Sequence, residues 1–410
     1  MHAITSATGR RPAGRGGIRR EVIAALAITT TVSYGTLYYA FSALLEPMRT
    51  ELGLSATTAT GALTTASLIS AVLGIPVGRR LDRHGGRGLM TLGSVVAALS
   101  VLAWSRVQTP AELYAVFVVL GIASAMVLYP PAFAVIVAVT APDRRTTALL
   151  SVTLVAGFAS SIFIPLTGQL IHAYGWRHTL FILAGVLAVL TIPLHAFALR
   201  STGHAVRTTQ QHAMRPGRVL RDTGFWLLAV AFVLHSAALA VIGVHLVTYL
   251  TELGHTPTTA AALAGLLGLL SVTGRITVTI LRRWLPMTSI SAVIIGLQGV
   301  ALGLLPTAGH SVAGAAICLI VFGLGFGVAS LAKPAIILDR YGDHGYATNA
   351  GILGTPTTIA GATAPLAAAA MATALGYTPL IRTAASACLL AAVALITTRY
   401  LPTPAPACCD

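Results

Sequence analysis

The sequence predicts an all-α membrane protein in which twelve transmembrane helices form two six-helix pseudo-repeats. Of its 410 residues, 56% are hydrophobic and 9% are charged, whereas a soluble globular protein has about 25% charged residues. Apolar blocks of roughly twenty residues or more recur along the chain, and each can cross the ~30 Å hydrocarbon core as a helix. The short segments of alternating polarity that are typical of membrane β-barrels are missing.

Twelve such blocks are separated by short polar segments, and the longest polar gap lies in the middle. This spacing predicts a tail at 1–21, one half at 22–200, a linker at 201–222, a second half at 223–400 and a tail at 401–410. The predicted spans are 22–46, 57–79, 88–107, 111–139, 146–172, 177–200, 223–250, 258–281, 288–306, 312–338, 346–374 and 378–399.

The arginines fix the predicted orientation. With both termini in the cytoplasm, 20 arginines fall in cytoplasmic segments and 3 in external ones, which is the bias that orients membrane proteins. The net charge of +15 therefore predicts topology and not nucleic-acid binding, because the arginines sit in short clusters between apolar blocks. We expect an integral, multi-pass protein of the plasma membrane, in contact with lipid.

The two halves resemble each other in sequence. The segment LGIPVGRRLDR at 73–83 aligns with TGRITVTILRR at 273–283, and YPPA at 129–132 is similar to AKPA at 332–335. These landmarks recur in order at offsets of 200 to 203. Two related halves with a site at their interface near the membrane midplane are a transporter architecture.

The segment from Gly78 to Arg87, GRRLDRHGGR, lies between the second and third spans. It resembles the G-x-x-x-D-R-x-G-R-R motif of the major facilitator superfamily, with Gly86 in place of the first trailing basic residue. The resemblance implies the major facilitator fold and a gating role for this loop. A glycine permits close helix approach, and Asp82 can meet arginines or helix ends across the two halves. The alternative is a charged loop that only sets topology. The expected gating residues are Gly78, Asp82, Arg83, Gly85 and Arg87.

Two stretches, 33–55 and 143–157, are similar to the monocarboxylate and oxalate–formate branch of that superfamily. The G-P-x-x-G-G run of its drug–proton antiporters is missing from the fifth span. Members of the monocarboxylate branch carry an arginine in the eighth span that faces the substrate carboxylate, and the resemblance assigns this role to Arg275. The aspartate linked to proton coupling in that branch corresponds here to Ser271.

Charges inside the membrane need a reason, because each costs roughly 2.5–3.5 kcal/mol on insertion scales. Arg275 offers a fork that suits a carboxylate, or it caps carbonyls of an opposing helix. Lys333, the only lysine of the chain, either forms a second cationic site or snorkels towards Asp339 and the headgroups. None of the eleven acidic residues is predicted at mid-membrane depth, so the cavity should prefer anions.

Other polar residues in the spans complete the candidate site. His235 and His245 in the seventh span could bind substrate or relay protons, or could simply bond to neighbouring helices. Tyr34 and Tyr38 share a helix face at i, i+4, where they either line the cavity or pack. The expected substrate-binding residues are Arg275, Lys333, His235, Tyr34 and Tyr38. The expected proton carriers are His235, His245 and Lys333.

These observations predict a secondary transporter that moves a small organic anion, a monocarboxylate, by alternating access, with or without a proton and as a monomer. The alternative is an exporter of a drug-like or secondary-metabolite amphiphile. Such an exporter would not need a buried cation to pair with an anionic substrate. A membrane sensor is disfavoured because no soluble domain is added. An enzyme is not expected, since nucleotide-binding loops, metal clusters and catalytic triads are missing from the sequence. No cofactor is expected either.

Overall fold

The computed structural model describes residues 20–200, 219–343 and 345–402. Most of the predicted tails 1–21 and 401–410, and of the linker 201–222, lie outside these described residues. The helices α1 to α4 are Arg20–Glu51, Ala56–His84, Gly86–Trp104 and Pro110–Val139, and α7 to α12 are Thr223–Glu252, Pro257–Leu281, Met287–Ala308, Val312–Tyr341, Tyr346–Leu375 and Tyr377–Tyr400.

The fifth and sixth helices share one long apolar stretch, Pro142–Ala198, of 57 residues. A straight helix of that length would span about 85 Å at 1.5 Å per residue. Gly175 interrupts it with φ 77° and ψ 162°, which only glycine adopts readily. We therefore call the part before Gly175 α5 and the part after it α6. This division turns eleven membrane-length stretches of the described chain into twelve spans, as predicted.

The duplication is visible in the backbone as well as in the sequence. Gly175 precedes α6 and Gly376 precedes α12, and their dihedral angles are nearly the same, φ 77° and 85° with ψ 162° and 171°. Ser55 caps α2 by accepting from the N–H three residues on, and Thr256 caps α8 in the same way. Both pairs are 201 residues apart, so each half repeats the same turns and caps.

Several helices of the described chain are interrupted within their length, among them α1, α4 and α10. The helix α1 contains a π-helical turn at Gly35–Tyr39, a feature found frequently at functional sites. In α4 the break falls at Leu128, and in α10 it lies between Val312–Leu324 and Ala329–Tyr341. The interruptions of α4 and α10 occupy equivalent places in the two halves. Discontinuous helices of this kind line the sites of many transporters.

The periphery is apolar. Large hydrophobic side chains are exposed along α3, α6, α9 and α12, including Leu99, Phe181, Leu304 and Val393. Such a belt suits contact with hydrocarbon and would be unusual in contact with water. The two halves meet on other helices, with α2 packed along α11 and α5 against α8 and α10.

Helices that cross alternately bring both ends of the described chain to one face of the bundle, which we call the terminal face. The opposite face is the distal face. At the terminal face Arg340 donates to both carboxylate oxygens of Asp222, at 2.9 and 3.0 Å, and Tyr341 donates at 2.6 Å. Arg340 also donates to the carbonyl of Pro402. This cluster ties together α7, α10 and the segment after α12.

Candidate functional site

The carboxylate of Asp82 caps a helix of the opposite half. It accepts hydrogen bonds from the backbone N–H groups of Ala347 and Thr348, at 3.2 and 2.9 Å, and from the Thr348 hydroxyl at 2.6 Å. These N–H groups belong to the first turn of α11, where four donors lack partners within the helix and an anion is favoured. We call the contact between Asp82 and the start of α11 the latch. A helix end of the other half was one of the partners expected for Asp82, and these three hydrogen bonds are of that kind.

Small residues allow the latch to close. A Cβ atom at Gly78 would collide with the carbonyl of Ala347, and one at Gly351 would collide with the carbonyl of Gly74. The two helices are therefore in backbone contact one turn apart, the small-residue packing that membrane helices use for close approach. One turn further in, the Thr355 hydroxyl donates to the Ala71 carbonyl at 2.7 Å.

Two of the other expected gating residues, Gly85 and Arg87, shape the loop that follows Asp82. Gly85 ends α2 with φ 76°, a conformation that favours glycine. Arg87 donates from Nε to the Ala196 carbonyl at 2.9 Å, within the same half. Arg83 is exposed on the terminal face. Sequence reasoning missed a second tie between the halves, the ion pair of Arg145 with Asp343, whose Nη2 and Oδ2 atoms are 2.6 Å apart.

Arg275 lies at the interface between the halves, six residues before the end of α8. Its Nη1 donates a long hydrogen bond of 3.4 Å to the carbonyl of Thr153 on α5, and the guanidinium fills the space beside Gly157. Its Nε is buried and has no hydrogen-bond partner within the described part of the chain. This geometry resembles the capping of an opposing helix, but it leaves donor capacity that a carboxylate could use.

Tyrosines of the N-terminal half surround this position. Arg275 lies within electrostatic range of the phenols of Tyr39 and Tyr129. The ring of Tyr129 packs on that of Tyr34 with centroids 4.6 Å apart, and Tyr39 meets Tyr38 edge to face at 5.3 Å. Sequence reasoning named Tyr34 and Tyr38 and missed Tyr39 and Tyr129. The π-helical turn brings all three tyrosines of α1 into the cluster.

A separate polar cluster lies inside the C-terminal half. His235 is fully buried, and its Nε2 is 2.8 Å from Oε1 of Gln298, whose amide nitrogen donates to the Phe322 carbonyl at 2.8 Å. The Nζ atom of Lys333 lies 5.9 Å from the centroid of the Phe232 ring and within electrostatic range of His235. The ammonium group therefore faces the interior of this half.

The snorkelling alternative for Lys333 named Asp339 as one partner. In the structure Asp339 forms its ion pair with Arg282, with an Nη2 to Oδ1 distance of 3.1 Å. The remaining histidine candidate, His245, bonds from Nε2 to the Pro365 carbonyl at 3.1 Å and packs near Tyr377. That position joins α7 to α11 within one half, away from the clusters of Arg275 and Lys333.

A cavity of about 210 Å³ opens beside the tyrosine cluster. It is bordered by α1, α2, α4 and α11, and none of its lining residues is charged. Tyr34 and Tyr38 of α1 are among its lining residues, as are Gly78 and Ala347, which lie beside Asp82 and at the start of α11. Among the described residues, no group of three or more histidine, cysteine or acidic side chains could hold a metal ion.

Twelve helices in two related halves, closed against each other at one face, define a transport protein of the membrane. Residues 26–362 match the family model of the Major Facilitator Superfamily, and the chain belongs to this family. The motif loop between α2 and α3 had indicated this membership, which is thereby confirmed. The two-repeat, twelve-helix fold predicted from the sequence is confirmed as well.

The individual proteins that this chain resembles share only a modest part of its sequence. Monocarboxylate transporter 13 of Rattus norvegicus is 27% identical over 269 residues, which are 63% of this chain and 59% of that protein. Among solved structures, the human organic anion transporter MFSD10 superposes with a TM-score of 0.70 and 16% identity, covering 92% of this chain and 100% of that one. The fucose:proton symporter of E. coli gives 0.71 and 13%, covering 93% and 99%.

Proposed function

We propose that this protein is a secondary transporter that carries a small organic anion, a monocarboxylate, across the cell membrane by alternating access. The observation that carries the proposal is Arg275, a fixed cation between the two halves whose Nε has no partner in the described chain. A guanidinium in that state gains two charged hydrogen bonds from a carboxylate. The curated relative named above is a monocarboxylate transporter, which agrees with this substrate class.

The charge distribution supports an anionic substrate. Ten of the eleven acidic residues are described, and each lies in a loop or within two turns of a helix end. Arg275 and Lys333 therefore stand in the spans without a fixed carboxylate close to their depth. A site with cations and no anions attracts anions from the adjoining solution.

The latch and the Arg145–Asp343 pair join the halves at the terminal face. If the arginine bias sets the orientation, this face is cytoplasmic, and both termini lie in the cytoplasm. The conformation is then the one that receives substrate from outside. Release to the cytoplasm requires both ties to break and the halves to rock about the central site.

The direct test is uptake into proteoliposomes that contain the purified full chain. Radiolabelled lactate, acetate and malonate are compared with a neutral sugar, each with and without a pH gradient. Accumulation or exchange of a monocarboxylate above protein-free vesicles is expected. Transport of neutral or cationic amphiphiles with no carboxylate transport would overturn the proposal in favour of an exporter.

Proton coupling, if it occurs, has three candidate carriers within the spans: His235, His245 and Lys333. Replacing all three by glutamine should abolish acceleration by a pH gradient and leave anion exchange between two equilibrated compartments intact, because exchange needs no net proton movement. The matched control is His178→Gln, since His178 is exposed near the distal face. Retained gradient dependence in the triple variant would remove all three residues from consideration.

A further inference from the structure

Two glycines lie against the guanidinium group of Arg275, one from each half of the molecule. A Cβ atom at Gly157 on α5 would collide with Nη1 of Arg275, and a Cβ atom at Gly327 on α10 would lie only 2.8 Å from its Nε. Both glycines fall where their helices are interrupted, at 157–158 in α5 and at 325–328 in α10. We call the space between Gly157 and Gly327 the guanidinium slot, because a larger residue at either position would take up part of it.

The backbone at these two positions does not require glycine. Gly157 has φ −62° and ψ −24°, values that every L residue adopts in a right-handed helix. Seven glycines of the described chain have positive φ, and neither Gly157 nor Gly327 is among them. What glycine supplies here is therefore the missing side chain and not conformational freedom.

Helix packing, the usual reason for a glycine in a membrane helix, does not account for Gly157. A Cβ atom at Gly274 on α8 would collide with the Leu324 carbonyl of α10, so there two backbones touch within one half. Gly327 packs in this way too, because a Cβ atom there would also lie 2.5 Å from the Ser271 carbonyl oxygen. The nearest atom to a Cβ at Gly157, in contrast, is the end of an arginine side chain from the other half. The space at Gly157 therefore accommodates the arginine.

The hydrogen bond between Arg275 and the Thr153 carbonyl does not explain the position of the arginine. That carbonyl already accepts the N–H of Gly157 at 2.9 Å, so it has a partner without the arginine. The bond from Nη1 is longer, at 3.4 Å, and Nε has no partner in the described part of the chain. The guanidinium thus lies in the slot with donors that a ligand could use.

We infer that Gly157 is a positioning residue for anion recognition, because its missing side chain lets the guanidinium of Arg275 lie between α5 and α8 with donors free for a carboxylate. This inference rests on the proposed function. Gly157 belongs to the N-terminal half and Arg275 to the C-terminal half, so a residue on one half sets the position of a cation carried by the other. The slot is complete only while the two halves are in contact at this level, and the anion affinity of the site therefore depends on that contact.

The test is calorimetric titration of the purified full chain with lactate, for the wild type and for Gly157→Ala. The added methyl group would meet the end of a flexible side chain, so it should move the guanidinium and leave the backbone in place. Lactate affinity should fall about tenfold, the loss expected when a charged hydrogen bond is misaligned. The melting temperature without ligand should stay within about 2 °C of wild type. The matched control is Gly168→Ala, which should bind as the wild type does, because Gly168 lies further along α5 with open space around it.

A double-mutant cycle separates positioning from packing. In the Arg275→Lys background the Nη1 atom that a methyl group at position 157 would meet is missing. Adding Gly157→Ala to that background should therefore lower lactate affinity by less than about twofold further. If Gly157→Ala lowers affinity by the same factor in both backgrounds, the methyl group acts through packing, and the inference is overturned.

Wild-type lactate affinity in a folded Gly157→Ala protein would also overturn the inference and leave the proposed function standing, and so would an equal loss in Gly168→Ala. If Gly157→Ala does not fold, the double variant with Arg275→Lys should fold, since the space is then free. If the double variant also fails to fold, the space at Gly157 serves helix packing and the inference fails. A wild-type protein that binds none of lactate, acetate and malonate would refute the proposed function, and the inference fails with it.

Discussion

Arg275 combines a permanent charge with incomplete hydrogen bonding. Its hydrogen bond to the Thr153 carbonyl is long, at 3.4 Å, so the guanidinium fork is available for a ligand. Arg275→Lys keeps the charge and removes the fork, and we expect anion affinity to fall about ten- to a hundredfold, since a charged hydrogen bond contributes roughly 1.5–3 kcal/mol. The measurement is calorimetric titration of the folded variant with the best carboxylate ligand.

The control for this prediction is Arg283→Lys, because Arg283 is exposed two residues beyond the end of α8. That variant should bind as the wild type does. If Arg275→Lys also binds as the wild type, the arginine serves only to cap the Thr153 carbonyl, and Lys333 becomes the main cationic candidate.

Asp222 gives a prediction about pH. Burial alone would raise the pKa of Asp222, but hydrogen bonds from Arg340, Tyr341 and the Gly224 N–H together hold it below its ordinary value. The stability that this carboxylate contributes is thus present above about pH 4, the pKa in the unfolded chain, and is lost as pH falls through the lower folded value. Asp222→Asn should lower the melting temperature by about 2–4 °C at pH 7.

Thermal unfolding in detergent measures this difference. The gap between wild type and Asp222→Asn should stay constant from pH 8 to pH 5 and narrow below pH 4, because the wild-type carboxylate then becomes protonated. A gap that already closes at pH 6 would show that another group is responsible.

At the scale of the element, α2 and α11 form the closest contact between the halves, and Asp82 supplies its polar part. Asp82→Asn removes the negative charge that faces the start of α11 and should destabilise the closed terminal face. We expect slower turnover, with ligand affinity within about threefold of wild type, because conformational exchange changes and the cavity does not. Uptake rates and titration on the same preparation separate the two effects.

The control on the same helix is Arg79→Gln. Arg79 is exposed, and its replacement removes a charge from the neighbouring turn. It should leave turnover close to wild type. An Asp82→Asn protein with normal turnover and much weaker binding would show that this carboxylate acts on the substrate and not on the latch.

Helix positions could be predicted from sequence because apolar blocks of membrane length report directly on burial in lipid. The interruptions could not. Nothing in the hydropathy of α1 marks the π-helical turn at Gly35–Tyr39, and the break at Leu128 was hinted at only by the following Pro130 and Pro131. Tyr39 and Tyr129 were missed for that reason, because their direction depends on these local departures from α-helix.

At the scale of the whole molecule, Arg145 and Asp343 tie the halves at the terminal face. With Cys408 and Cys409 replaced by serine, Arg145→Cys and Asp343→Cys can be joined by a bifunctional maleimide. We expect the cross-link to abolish uptake while ligand binding from the distal side persists, because the halves can no longer separate at this face. Each single cysteine variant treated with the same reagent is the control.

Continued uptake by the fully cross-linked protein would show that transport does not require the halves to part here. Native Cys318 and Cys388 are buried and should not react under conditions that modify exposed thiols.

The duplication could be read from the sequence, and more fully than the landmarks at offsets of 200 to 203 indicate. Glu51-Leu-Gly and Glu252-Leu-Gly are identical at an offset of 201, and both glycines have positive φ, 62° and 99°. The contacts between the two halves could not be predicted from the sequence. Asp82 and Thr348 are 266 residues apart and Arg145 and Asp343 are 198 apart, and no local pattern reports on such pairs.

The cavity adjoins the latch, since its lining includes Ala347 of the latch and also Gly78 and Leu81, which precede Asp82 on α2. A ligand in the cavity and the moving parts of the gate therefore share the same space. A bound molecule that does not reach these residues leaves the gate free to open and can be transported. A longer molecule that contacts them stabilises whichever conformation has room for it and so inhibits the cycle. By thermodynamic linkage its preference for that state equals the bias it imposes on the gate. The length of the molecule held in the cavity, more than its affinity, then decides whether it is transported or inhibits transport.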